Sequence, residues 1–330
     1  MGKIKSLLAW IREWVLIVAI ISGVGSYIIY VNIPWLDCTH AAMMQIVNIT
    51  QPFLIFAMLF VTFCRVDLKH LHLLRWHWWL LSFQCIAFIG LGLIAVTLPA
   101  HNSARIVIEG AMICLICPVA TAGAVVTRKF GGDASGIITY TILINLVASL
   151  VIPIVVPFLH ENQAMSTWTA SVLILGKVFP LLLLPLLLAI LVRQFTPEFH
   201  RYICRHEDLS FYLWVVALFL AMAVTTHFIM SATVSIAVEI GLVIVAGLSC
   251  LFQFYLGWRI GKRYGDRVTA GQALGQKNTV LAIWLGYTFF NPVTSLAGGF
   301  YSIYHNVVNS IQLYKYSHPH EASPKQNRKH

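Results

Sequence analysis

The stretch 271-GQALGQKNTVLA-282 places Lys277 near the middle of an otherwise uncharged run from Val268 to Phe290. The run is long enough to cross a membrane. A lysine there stands roughly 15 Å from either end at about 1.5 Å per helical residue, farther than a lysine arm can snorkel. Gly271 and Gly275 permit unwinding beside it, and Gln276 and Asn278 add polar groups. The segment therefore reads as a membrane helix broken at depth. Irregular backbone is tolerated there only where it is buried in protein or lines a wet cavity.

The rest of the chain supplies the solvent. It is 59% hydrophobic and 10% charged, with a mean hydropathy of +0.80, far from the roughly 25% charged residues of a soluble domain. Apolar runs of about 20 residues recur at 14–31, 41–64, 77–98, 106–127, 134–157, 168–192, 209–230, 235–258, 268–290 and 295–314. The fold class expected is an all-α polytopic membrane protein with ten transmembrane helices. No soluble domain fits between the spans; the longest polar gap is the loop 193–208, and the tail 315–330 is short, His/Lys-rich and expected to be disordered.

Nineteen of the 22 Lys and Arg residues fall at the N-terminus, in the loops after the even-numbered spans, or in the tail. Arg105 stands alone in the opposite loops, and Lys177 and Lys277 lie inside spans. By the positive-inside bias both termini are expected in the cytoplasm, in a plasma (bacterial inner) membrane. The net charge of +10 is this bias, so nucleic acid is not an expected partner. The first span follows a basic N-terminus without a small-residue cleavage site and reads as a retained anchor. The opening 1-MGKIKS-6 reads as a basic juxtamembrane start rather than a myristoylation signal. The seven cysteines have no disulfide-framework spacing, and Cys114 and Cys117 read as small core residues rather than a metal or redox pair.

Ten spans divide into two sets of five, and an odd set must re-enter the membrane inverted, the plan of many secondary transporters. The fourth span of each set carries a helix breaker at mid-depth: 117-CPVATAGAVVT-127 with Pro118 and Gly123, and the opening stretch with Gly275. The domains expected are a first inverted repeat at 1–160, a second at 161–314 and a cytoplasmic tail at 315–330. Proline removes an amide donor. The freed ends of half-helices carry positive partial charge and open N–H groups that suit an anion.

These two segments resemble the bile acid:sodium symporter family. The run 117-CPVATAGAVVT-127 followed by 131-GGDAS-135 is similar to the family's helix 4 pattern, and 275-GQKNTVLA-282 to its helix 9 pattern. The runs 304-YHNVVNS-310 and 176-GKVFPLLLLPLLL-188 resemble its tenth and sixth helices, so the likeness spans nearly the whole chain in the correct order. The resemblance implies a core domain of helices 3–5 and 8–10 and a panel domain of helices 1, 2, 6 and 7. Broken helices 4 and 9 cross in the core, where an organic anion binds beside two sodium ions. Carried over by motif, Thr121, Asn278, His305 and Asn306 would bind the substrate. Each also admits a structural role: Thr121 bonding back to its own helix, Asn278 pinning the crossover, His305 satisfied as a buried histidine.

The chain departs from the family at the ion ligands. The polar pair after Thr-Ala falls on Gly123 and Ala124, a helix 5 serine on Ile137, and the glutamate shared by both ions on Ala273. The helix 9 glutamine falls on Lys277, and only Gln84 and Thr141 are kept. A hard cation needs several oxygens, which Gly, Ala and Ile side chains do not supply. The implied site holds one carboxylate and two sodium ions, a net of +1, and here Lys277 alone supplies +1. Lys277 is therefore read as a tethered cation in place of sodium, donating to Gln84, Thr141 or helix carbonyls, with Gln276 part of the same cation site. Two alternatives stay open: a lysine bonded to half-helix carbonyls for folding alone, and a lysine that itself carries a proton. Glu109 and Glu239 read as interfacial and are the acidic candidates for a proton path; Lys177 lies deep but in the ordinary sixth helix.

The function expected is alternating-access transport of an organic anion, bile-acid-like or a small carboxylate or sulfated compound, without sodium. A sodium symporter rebuilt from Gln276, Gln84, Thr141 and backbone carbonyls is the alternative. An intramembrane enzyme would need convergent catalytic groups that the few ionisable residues within spans do not provide. The partners expected are the anion and the lipid bilayer, with no cofactor and no obligate protein partner.

Overall fold

Apolar runs without access to water must close their backbone bonds within helices. The computed structural model describes residues 2–66, 70–99, 102–159, 165–206, 208–231 and 234–317, with side chains from residue 17 to residue 316. Among these the regular structure is helical: α1 (Gly2–Val31), α2 (His40–Cys64), α3 (Arg75–Val96), α4 (Ser103–Ile116), α5 (Gly123–Lys129), α6 (Ala134–Val155), α7 (Thr167–Phe195), α8 (Pro197–Arg205), α9 (Leu209–Ser231), α10 (Ile236–Arg263), α11 (Arg267–Gly275), α12 (Thr279–Phe289) and α13 (Ser295–Ser317). Among the described residues, six stretches are long and apolar enough to cross a membrane, at Pro34–Cys64, Arg75–Val96, Ala134–Phe158, Thr167–Phe195, Leu209–Ser231 and Ile236–Arg263. The chain is a multi-pass membrane protein. Lys69, the boundary at 160/161 and the tail beyond residue 317 lie outside the described residues.

The two runs with central breakers are each divided. Residues 117–122 separate α4 from α5, and 276–278 separate α11 from α12. The polar stretch 193–208, expected as a loop, instead extends α7 to Phe195 and then forms α8, an amphipathic helix that buries Ile203 and exposes Phe199 and Tyr202. Glu109, near the start of α4, is closed into an ion pair. It is buried one turn from Arg105, whose Nε donates to its Oε1 at 3.2 Å, while its Oε2 accepts from the Asn291 amide at 3.1 Å. The remaining Arg105 donors reach the Leu98 and Leu159 carbonyls, so the pair is paired and bonded, as a buried charge requires. Glu239 sits half-buried in the first turn of α10.

Helices α1, α2, α7 and α9 pack in a chain of neighbours: α1 on α9, α9 on α2, α2 on α7. Helices α3, α4, α10, α11, α12 and α13 interlock, with α6 against α3, α5 and α11. Helix α10 packs tightly on α11. A methyl group at Gly257 would stand 2.5 Å from the Ala270 carbonyl oxygen and 2.9 Å from the Gly271 Cα. Small residues let helix backbones meet in this way inside a bilayer, and here they hold α11 where its broken end is used.

Replacing Gly257 with alanine puts that methyl group against backbone that has nowhere to move. Overpacking of this kind costs about 1–3 kcal/mol, so Gly257→Ala is expected to lower the unfolding temperature of the detergent-purified protein. Gly25→Ala, with nothing within 4 Å of the added methyl, is expected to leave it unchanged or raise it.

Candidate functional site at the meeting of two broken helices

Pro118 has no amide to donate, and the residue before it, Cys117, is extended at φ −54° and ψ 134°, so α4 stops at Ile116. Gln276, at φ −92° and ψ 100°, leaves α11 in the same way after Gly275. The two interrupted segments lie antiparallel and pair through Val119 and Lys277. The Ala120 amide donates to the Gln276 carbonyl at 3.0 Å, and the Asn278 amide to the Pro118 carbonyl at 2.9 Å. Amides released by breaking one helix are thus satisfied by the other, which answers the backbone account at membrane depth.

The last carbonyls of each first half-helix lack intrahelical partners, and side chains supply them. On α4, Cys114 O accepts from Gln253 Nε2 at 3.1 Å. Leu115 O accepts from Gln84 Nε2 at 2.6 Å and from Lys277 Nζ at 3.1 Å. Gln84 in turn accepts from the Tyr140 hydroxyl. On α11, Gly275 O accepts from the Tyr301 hydroxyl at 2.8 Å, and the Tyr301 hydroxyl oxygen in turn accepts from Gln253 Nε2 at 3.2 Å. Lys277 is 2% exposed and, among the described residues, pairs with no carboxylate. Its ammonium sits at the carbonyl end of α4, where the helix dipole is negative. A hydrogen bond to a charged group is worth about 1.5–3 kcal/mol, comparable with the insertion cost of about 2.5–3.5 kcal/mol for a mid-bilayer lysine.

Of the residues expected to face substrate, Thr121 and Asn278 lie in the breaks themselves. Asn278 caps α12, its Oδ1 accepting from Leu281 N at 3.2 Å, while its buried Nδ2 has no hydrogen-bond partner among the described residues. Thr121 is part-buried. His305, buried on α13, joins the region through Tyr301, with ring centroids 5.9 Å apart, and its Nδ1 is also without a partner. Asn306 bonds its own helix, Nδ2 donating to Ser302 O at 2.7 Å. Thr141 does the same, donating to Ile137 O at 2.7 Å. Lys277 therefore bonds a helix carbonyl rather than Gln84 or Thr141, although it shares its acceptor with Gln84.

The positions matched to ion ligands form an apolar surround. Ile137 and Ala273 are fully buried in one cluster with Val119, Tyr140 and Leu274, and Ala124 packs against it. A methyl group at Gly123 would meet Val119 Cγ1 at 2.7 Å and Ile137 Cδ1 at 3.4 Å, with Gln276 Oε1 4.0 Å away. That Gln276 oxygen is buried and has no hydrogen-bond partner. The side chains at 123, 124, 137 and 273 offer no oxygen to a cation.

Sequence reasoning missed Gln253, Tyr140 and Tyr301. The glutamine carried a signal, a lone amide in the apolar stretch 248–257, fully buried on α10. The tyrosines carried none, because the same residue serves as readily at a membrane interface.

The model of the SBF-like CPA transporter family matches residues 33–307, so both broken helices lie within the match. The chain belongs to that family, which is related to the bile acid:sodium symporters. No curated protein matches the chain.

Since Gln84 and Lys277 donate to one carbonyl, their effects on stability are expected to couple. In a cycle of Gln84→Leu, Lys277→Met and the double variant, the double variant should lose more unfolding temperature than the two single losses together, because only it leaves Leu115 O bare. Groups that share a partner couple by about 0.5–3 kcal/mol; strict additivity would contradict the shared acceptor.

Proposed function

We propose that this member of the SBF-like CPA transporter family carries an organic anion by alternating access without sodium, with Lys277 as a tethered cation where its relatives hold ions. The observation that carries the reading is the Lys277 ammonium, buried on Leu115 O beside ligand positions that have become hydrocarbon. The resemblance implies one carboxylate and two sodium ions at the crossing; here Ala273 removes the carboxylate and Lys277 restores a net +1. The amino end of α12, capped by Asn278 with an open Nδ2, supplies donors suited to a carboxylate or sulfate.

In this reading α1, α2, α3, α4 with α5, α6, α7, α9, α10, α11 with α12, and α13 are the ten spans. They form inverted repeats over 1–160 and 161–314, with a core of spans 3–5 and 8–10 moving against a panel of spans 1, 2, 6 and 7. The Lys and Arg asymmetry supports cytoplasmic termini in the plasma membrane and sets α8 at the cytoplasmic face. A sodium symporter with a rebuilt site is the second reading, and the partnerless Gln276 Oε1 favours it. Gln84 and Thr141, its other side-chain oxygens, already accept from Tyr140 and donate to Ile137 O respectively.

Uptake of a mixed panel of organic anions into proteoliposomes, in sodium, in choline and under a pH gradient, tests the proposal. The expected result is uptake that ignores the replacement of sodium by choline and that Lys277→Gln abolishes or makes sodium-dependent. Uptake by the wild type that requires a sodium gradient overturns it in favour of the rebuilt ion site, and failure of every anion to move overturns the substrate class.

A further inference from the structure

Buried polar groups without partners gather along one seam of the helix bundle. Among the described residues they include Thr127 Oγ1 on α5, Gln272 Oε1 and Gln276 Oε1 at α11, and Ser302 Oγ, His305 Nδ1 and Gln312 Nε2 on α13. Thr127, Gln272, Gln276, Ser302 and His305 are at most 5% exposed. A buried polar group left unpaired is destabilising, and six of them together would rival the whole stability of an ordinary domain. Protein side chains do not satisfy these atoms, so something small and polar must.

The six groups are in register. Gln276 follows Gln272 by four, and its amide still bonds Gln272 O at 3.0 Å, so both side chains leave α11 on one side. On α13, Ser302, His305, Asn309 and Gln312 follow at steps of three or four and make a second row. The rows meet where Gln272 Nε2 donates to Asn309 Oδ1 at 3.0 Å and to Gln312 Oε1 at 3.3 Å. Helix α5 packs along the same side of α11. A methyl group at Gly123 would stand 4.0 Å from Gln276 Oε1, and one at Gly132 would meet Thr127 Cγ2 at 2.7 Å and Thr269 Oγ1 at 3.1 Å. One end of the seam is therefore the break at Gln276. The other is the turn after α5, where a methyl group at Gly131 would stand 3.3 Å from the Tyr316 hydroxyl.

Groups one helical turn apart are separated by about 5–6 Å, the span of a single water bonded to both at about 2.8 Å. Threonine, serine, glutamine and histidine each offer donors and acceptors, and a buried water needs two to four such partners. We propose that α5, α11 and α13 enclose a file of bound water molecules that runs from the break at Gln276 to the carboxyl end of α13. The file hydrates the crossing through the interior of the bundle, and it stands independently of what the chain carries.

The test uses the full-length protein in phosphatidylcholine nanodiscs. Thr127→Val keeps the shape of the side chain and deletes the hydroxyl. A hydroxyl that holds water loses a hydrogen bond on deletion, so the unfolding temperature is expected to fall; a dry, unpaired hydroxyl is a burden whose removal raises it. The second measurement places a reporter in the seam. Gln272→Met puts a readily oxidised thioether at a fully buried position, and native Met112, fully buried in the apolar cluster, is the internal reference. Hydroxyl radicals generated from water by an X-ray pulse, with the products read by mass spectrometry, are expected to oxidise the reporter at least tenfold faster than Met112. A rise in the unfolding temperature of Thr127→Val, or a reporter at position 272 no faster than Met112, overturns the water file.

Discussion

Two buried helices that each break mid-course can exist only because each completes the other. Pro118 and Gln276 give up helical geometry, and the carbonyls and amides so released meet across one antiparallel contact, Ala120 to Gln276 and Asn278 to Pro118. Within a bilayer an unmet amide costs several kcal/mol, so neither break is affordable alone. Much of the surrounding architecture serves this contact. The close backbone approach of Gly257 to Ala270 seats α11, and Gln84, Gln253 and Tyr301 cap the carbonyls that the breaks leave behind.

Lys277 belongs to that capping set as well as to the proposed chemistry. Its backbone is half of the antiparallel pair, and its side chain turns back to the end of the opposite helix. A mobile ion at this point would need several oxygens. An ammonium brings its own donors and needs only acceptors, which the carbonyl end of α4 presents. The hydrocarbon at Ala124, Ile137 and Ala273 is consistent with a positive charge supplied by the chain itself. Arg105 and Glu109 make a comparable closed pair at the start of α4, tying it to the Leu98 and Leu159 carbonyls and to the Asn291 amide.

The breaks were legible in the sequence because proline and glycine act on their own backbone, whatever surrounds them. The burial of Lys277 was legible too, because it stands alone in an uncharged apolar run. Its acceptor was not, because every residue has a carbonyl and only packing decides that Leu115 presents one to both Lys277 and Gln84. Helix α8 was hidden in a polar stretch because it is nine residues long and buries one side chain, Ile203, deeply. The spacing of four between Arg105 and Glu109 was visible in the sequence; that the pair is buried depends on the Leu159 and Asn291 backbone, distant in the chain.

The central claim is that the positive charge at the crossing is covalently fixed. A ligand that binds the native state raises its unfolding temperature as its concentration rises, so the most direct measurement is thermal unfolding of the purified protein in sodium chloride against choline chloride at matched ionic strength. The account predicts the same unfolding temperature in both. A sodium-specific rise that grows with sodium concentration would contradict it.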